Sequence, residues 1–227
     1  MDYEEIDYGT IVDANKLYID KSLREIPDYA FYNKPELLKY VTDVYFPKKL
    51  EKIGEWAFYE CPSLNHLHFH EDSIPEEIGE KAFKGCEYLR EALLPWSIQS
   101  IGEEAFSECE SLECVVIPNE IRNIAAWAFY YCTNLKRVFV PELYPWAGTE
   151  IEKNIFEGCE NLESVYWFGK ETKFLEEIEW PSQNITLYVR PQVWEKATKV
   201  LQPYFERIAV LSEEAIKFAD EYGYHYF

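Results

Sequence analysis

Three histidines alternate in His66-Leu67-His68-Phe69-His70, and six cysteines are spread along the chain. Imidazoles at i and i+2 of a strand share one face, the arrangement from which a metal site can be built. The first and third of these would stand ~6.8 Å apart along a strand, too far for one ion. Only Glu71, Asp72 or Glu91 could complete a ligand set, so the run reads as histidines on a binding face, with no metal and no cofactor. The cysteines point away from chemistry as well. Cys61, Cys86, Cys109, Cys132 and Cys159 recur at one phase of a repeat. Stacked equivalents would sit ~4.8 Å apart and point the same way. A disulfide needs Cβ atoms ~3.8 Å apart and facing each other. No C-x-x-C pair suggests zinc, and these five read as reduced, buried, small apolar residues.

Cys114 stands outside that phase and is expected to be an exposed thiol. A nucleophile needs a base beside it, and His66 and His68 belong two repeats away, ~9.6 Å at one strand spacing per repeat. No carboxylate pair is set apart by apolar neighbours, and no glycine loop could cradle a phosphate. Asn184-Ile185-Thr186 matches a glycosylation sequon but carries no weight without a secretory leader. The chain is expected not to be an enzyme.

What must position these residues is a segment written six times, beginning at Ile26, Ile53, Ile78, Ile101, Ile124 and Ile151. Its fullest form is Ile101-Gly-Glu-Glu-Ala-Phe106, then Cys109, Leu112 and a short apolar run to Pro118. The start-to-start spacings are 27, 25, 23, 23 and 27 residues, the length of one solenoid coil. The runs Val44–Phe46, Leu67–Phe69, Ala92–Leu94, Val115–Ile117, Val138–Val140 and Val165–Trp167 are expected as strands. Such strands are too short to stand alone and must stack into a parallel sheet. The glycines at 54, 79 and 102 suit a tight turn, and the residues after Ala-Phe fit a helical or 3₁₀ turn on the convex side.

Alternation along the strands then sorts the side chains. Leu64, Leu67 and Phe69 face the core, which puts His66 and His68 on the concave side. Carried through the array, the same phase gives one column of Tyr45, His68, Leu93, Val116, Phe139, Tyr166 and Tyr188. A second column reads Asp43, His66, Glu91, Cys114, Arg137, Ser164 and Thr186. The first is aromatic and apolar where water is expected, which marks an interface unless a cap, an inserted loop or a second copy covers it. The candidate binding residues are Tyr45, His66, His68, Leu93, Val116, Arg137, Phe139, Tyr166 and Tyr188.

The motif I-G-x-x-A-F-x-x-C-x-x-L-x-x-V-x-I-P resembles a leucine-rich repeat of the cysteine-containing bacterial subtype called BspA-like. The resemblance covers about residues 26–168, reaching 189 if Ile185-Thr-Leu-Tyr-Val189 is the last strand. Lys34 replaces the cysteine, Ala125 the glycine and Ile155 the alanine, and residues are inserted near Pro75 and Trp146. The resemblance implies a right-handed repeat solenoid with a concave parallel sheet, used for binding other macromolecules and often at microbial surfaces.

Residues 1–25 are expected to cap the array, with a short strand at Lys16–Ile19, and 26–168 to form about six repeats. Residues 169–211 read as a degenerate last repeat with a capping helix over Val193–Leu201, ended by Pro203. Residues 212–227 read as a final helix from Ser212 to Tyr222, with Gly223 beyond.

A net charge of −20 disfavours nucleic acid and anionic membrane surfaces, both of which call for basic residues. Its plain role is to keep an apolar-rich array soluble. The first sixteen residues have neither a basic nor an apolar leader region, and no apolar run could span a bilayer, so a cytoplasmic location is expected. The expected function is a non-catalytic scaffold that binds a protein or peptide on the concave face. The alternative is a structural module that forms a homo-oligomer through the apolar stripe and the C-terminal helices. A metal- or thiol-dependent enzyme is the third reading.

Overall fold

A computed structural model describes residues 9–12, 15–141 and 150–216. Each repeat forms one coil that contributes two strands. The first is a two-residue strand ending on the opening isoleucine, and six of these, from Glu25–Ile26 to Glu150–Ile151, stack in parallel. Isoleucine pairs with isoleucine in register, as in Ile53↔Ile78 and Ile78↔Ile101. The second strand follows the leucine and builds the inner sheet. Its strands are Lys16–Ile19, Asp43–Tyr45, His66–His68, Glu91–Leu93, Cys114–Val116, Arg137–Val140, Ser164–Trp167, Thr186–Val189 and Arg207–Val210.

The inner sheet is split. A four-stranded part ends at His66–His68 and a six-stranded part begins at Glu91–Leu93, while the isoleucine ladder runs past the split unbroken. The coil between them carries the insertion near Pro75. Its inner strands share the opening bond, Arg90 N–H to the Asn65 carbonyl at 3.3 Å, but no paired register.

Four layers fill the interior. Phe58, Phe83, Phe106, Phe129 and Phe156 are fully buried, with centroids 5.2 to 5.6 Å apart and planes within 20°. Trp180 ends this pile on Phe156. The alanines before these rings, the leucines and the five in-phase cysteines are buried beside them. Each thiol of Cys86, Cys109, Cys132 and Cys159 donates to the carbonyl of the Phe one coil earlier, at 3.1 to 3.3 Å. The Phe83, Phe106 and Phe129 carbonyls also accept the backbone N–H of the cysteine three residues on, at 3.2 to 3.4 Å, so each thiol on them adds a second bond and ties one coil to the next.

The glycines serve close approach rather than the expected turn geometry. A Cβ on Gly102 would lie 2.5 Å from the Glu80 nitrogen and 2.6 Å from the Gly79 carbonyl carbon of the coil before. The left-handed positions fall elsewhere. Tyr29, Trp56, Lys81, Glu104 and Trp127 hold φ between 52° and 58°, just before the buried alanine.

At the front, Gly9–Val12 pairs antiparallel with Lys16–Ile19. In the first coil, which has Lys34 at the cysteine phase, a one-turn helix spans Pro35–Leu38 and buries Leu38. At the back, the inner sheet runs on past residue 168 through two further strands, of which Arg207–Val210 was not expected. Within the stretch read as a degenerate last repeat lies an unexpected helix, Lys173–Glu177, that buries Leu175. Helix Pro191–Leu201 starts on a proline and buries Val193, Ala197 and Leu201. Trp194 and Val200 of the same helix are exposed. Ser212 caps the next segment, its Oγ accepting the Ala215 N–H at 3.1 Å. The rest of the expected final helix to Tyr222, Gly223 and the insertion at Trp146 lie outside the described residues. Among the described residues no helix is long and apolar enough to cross a membrane.

Candidate docking face on the inner sheet

Register places the two columns as alternation implies. Tyr18 and Tyr45 pair across strands, then Tyr45 and His68, and farther on Val116 with Leu93 and with Phe139, Phe139 with Tyr166, and Tyr166 with Tyr188. Tyr18 heads the column and was missed, although Lys16–Ile19 had been read as a strand. The rings stack where they are consecutive. Centroids are 4.5 Å apart for Tyr18–Tyr45, 4.3 Å for Tyr45–His68, 4.5 Å for Phe139–Tyr166 and 4.7 Å for Tyr166–Tyr188, with planes within 13°. Leu93 and Val116 stand between the two stacks.

The two halves of this face differ in exposure. In the N-terminal half Tyr18 is 41% and Leu93 49% exposed, and Tyr45, His66 and His68 are open to solvent in part or whole. In the C-terminal half Val116 is 5%, Phe139 9% and Cys114 8% exposed. They form a second apolar cluster with Phe168 and Leu211, against which Tyr166, Tyr188 and Ile216 pack. The expected exposure of Val116, Phe139 and Cys114 is therefore corrected. Residues 168, 211 and 216 come from far along the chain, and local alternation carries no record of them. Arg137, in the second column, remains exposed.

Cys114 is consequently a poor nucleophile. Burial pushes its thiol up to about 11, with Glu91 adding to the rise and Arg137 opposing it. Its in-register neighbours are Glu91 and Arg137, and neither is a base that could activate it at neutral pH.

The histidine run resolves into two arrangements. His68 Nε2 lies 2.7 Å from Asp43 Oδ1 and His66 Nδ1 3.6 Å from the same oxygen. Thr42 Oγ1 donates to Asp43 Oδ2 at 2.6 Å. Burial pushes the Asp43 carboxyl up, but the bonds from Thr42 and His68 and the nearness of both imidazoles outweigh it, and the carboxyl is held below its ordinary range. His70 turns away into its own loop, its Nδ1 accepting the Asp72 N–H at 3.1 Å. Among the described residues no group of three or more His, Cys, Asp or Glu is placed to hold a metal ion.

On the turn side, a second aromatic group escaped the column analysis. Tyr29, Tyr32, Trp56 and Tyr59 meet at centroid distances of 4.6 to 6.1 Å, and Lys81 Nζ sits 4.7 Å over the Trp56 ring. Its signal was the recurrence of large rings at the left-handed position before Ala-Phe. A cleft of about 250 Å³ beside it is walled by Tyr32, Pro35, Tyr59 and Pro62, and one of about 380 Å³ near the back by Trp180, Tyr204 and glutamates.

A family model described as a BspA type leucine rich repeat region matches in six copies, over residues 8–136 and 71–186. Among solved structures, a T. pallidum leucine-rich repeat protein is 22% identical, with 91% of this chain and 96% of that one covered at a TM-score of 0.59. The pneumococcal vaccine antigen PcpA is 17% identical over 92% of this chain and 82% of its own, with a TM-score of 0.38. A Bacteroides ovatus leucine-rich repeat protein is 15% identical over 93% and 77%, with a TM-score of 0.32. No curated protein matches the chain.

Proposed function

The chain belongs to the BspA-type leucine-rich repeat family, a class of interaction scaffolds, and from that premise we propose that it docks a protein or peptide on the open half of its inner sheet. One observation carries the reading. Tyr18, Tyr45 and His68 form a stacked aromatic stripe, with Leu93 on the next inner strand, and all four are partly or wholly exposed on a chain of net charge −20. A highly charged protein has polar side chains to spare for covering such a stripe. A stripe left open on a rigid ladder of strands is preorganised for a partner, and rings already stacked lose little freedom on binding. Catalysis, a metal and a cofactor have no part in this reading, and the acidity disfavours nucleic acid and anionic membranes as partners.

The test is capture of a partner from native extract by the wild-type chain and by Tyr45→Ala and Leu93→Ser. Both variants should keep a cooperative unfolding transition and lose the captured partner. Phe139→Ala is the wrong probe, because that ring belongs to the buried cluster. Equal capture by Tyr45→Ala, Leu93→Ser and wild type would remove the proposal. Self-association through the same stripe is the second reading, since a self-complementary apolar patch suits a twofold contact. Light scattering that shows a monomer at every concentration would dismiss it.

A further inference from the structure

We propose that the C-terminal half of the inner sheet carries an anion-binding row, Arg137, Ser164, Thr186 and Arg207, which takes an acidic, extended peptide by two of its carboxylates. The row lies at the other end of the sheet from the docking stripe and stands independently of it. Strand register fixes its four members, Arg137↔Ser164, Ser164↔Thr186 and Thr186↔Arg207. Each is one strand spacing from the next, so the two arginines stand ~14 Å apart with both hydroxyls between them. Alternation turns all four to the inner face, since Val138, Val165 and Leu187 behind them are fully buried and Ile208 packs on the core. Arg137 and Arg207 are exposed, and Ser164 and Thr186 half-buried. The cluster of Leu211, Phe168 and Ile216 thus covers the adjoining column at Val116 and Phe139 and leaves this row open.

The row holds cationic forks and hydroxyls, with no carboxylate among them. Among the described residues neither arginine makes an ion pair, although acids outnumber lysines and arginines by 42 to 22 along the chain. The hydroxyls of Ser164 and Thr186, and the phenols of Tyr166 and Tyr188 in the adjoining column, make no hydrogen bond among the described residues either. Nearby acids stand aside: Glu113 is 3.8 Å from Lys136, and Glu163 and Glu206 precede the row by one residue, outside the strands. A guanidinium holds a carboxylate by two parallel N–H···O bonds, and a hydroxyl one strand over donates to a remaining lone pair. Arg137 with Ser164, and Arg207 with Thr186, make two such half-sites ~10 Å apart, the reach of three residues in an extended chain. The net charge of −20 opposes polyanions in general, but charges beyond ~8 Å are largely screened at physiological salt, and the local row decides. Two cations neutralise too few phosphates to hold a nucleic-acid backbone against that field, which leaves an acidic peptide as the ligand.

The probe is fluorescein-labelled octaglutamate, read by anisotropy on the full chain at neutral pH and about 0.15 M salt. Arg137→Gln with Arg207→Gln is compared with Lys49→Gln plus Arg122→Gln, which removes the same charge from exposed side chains outside the inner strands. The first pair should weaken binding about tenfold and the second less than about twofold. Arg137→Lys with Arg207→Lys keeps the charge but loses the fork, and should weaken binding about threefold. Ser164→Ala with Thr186→Ala should weaken it about fivefold. Should the glutamine pair fail to unfold cooperatively, the lysine pair decides. Equal loss in the two charge-removing variants, no octaglutamate binding by the wild type, or tighter binding of octathymidylate than of octaglutamate would overturn the inference. Tyr45→Ala should leave octaglutamate binding unchanged, and its loss there would move the anion to the docking stripe and overturn the row as well.

Discussion

Replacing Phe106 with alanine is the sharpest test of how the coils hold together. Its ring is fully buried, stacked at 5.2 Å on Phe83 and 5.5 Å on Phe129, and its backbone N–H reaches the Ala128 carbonyl of the next coil at 2.8 Å. Truncation removes the transfer energy of the ring and leaves a cavity that flanking coils cannot fill without breaking their own ladders. A phenylalanine deleted from such a core costs about 3–5 kcal/mol, within which the two ring pairs account for about 0.5–1.5 kcal/mol each. With a urea slope of about 3 kcal/mol/M the midpoint should drop by about 1–1.7 M. Phe106→Leu keeps much of the volume and should lose about a third of that. The assay is urea unfolding followed by both tryptophan fluorescence and far-ultraviolet dichroism, since repeat arrays can lose cooperativity. Coincident transitions shifted by this amount are expected. A cost below about 1 kcal/mol would mean the ring is not an interior layer, and the stacked-coil account would fail with it.

Other consequences are local. The six thiols are all free and buried, so alkylation of the folded chain at pH 8 should be slow and denaturation should expose all six. With its thiol pushed up to about 11, Cys114 carries about 0.1% thiolate there, roughly 200-fold less than an ordinary exposed cysteine, and rapid labelling of one site would contradict this. Gly102→Ala drives a Cβ against the backbone at Glu80 and should cost about 1–3 kcal/mol, measured as a lowered melting temperature. The Asp43 carboxyl is held below its ordinary range, so its stabilising contribution is complete above about pH 4 and is lost as pH falls through the folded value. Asp43→Asn should therefore flatten the acid limb of the stability curve below about pH 4, and an unchanged limb would count against the Thr42 and His68 bonds.

The interior was legible because it is periodic. Isoleucine, Ala-Phe, cysteine and leucine each recur at one phase, and each phase turned out to be one interior layer, buried throughout but for the half-buried Ile151 at its end. Strand phase was legible for the same reason, which is why Asp43, His66 and Glu91 could be placed in one column. What did not repeat was not read. Arg207–Val210 is short, with Arg207 and Val210 exposed, and lacks a preceding Ala-Phe-Cys signature. Lys173–Glu177 is too brief for a helical period to show. The left-handed positions are filled by Tyr, Trp, Lys and Glu, residues that do not announce positive φ as glycine does. The burial of Val116 and Phe139 depends on Leu211, more than seventy positions later in the chain, and a pattern read strand by strand has no access to that packing.

Hydrogen–deuterium exchange of the chain with and without its captured partner tests the central claim most directly. The account predicts new protection over the strands Asp43–Tyr45, His66–His68 and Glu91–Leu93, with the turns that carry Tyr29, Trp56 and Trp127 unchanged. Protection confined to those turns, or to the helix Pro191–Leu201, would place the partner elsewhere and contradict it.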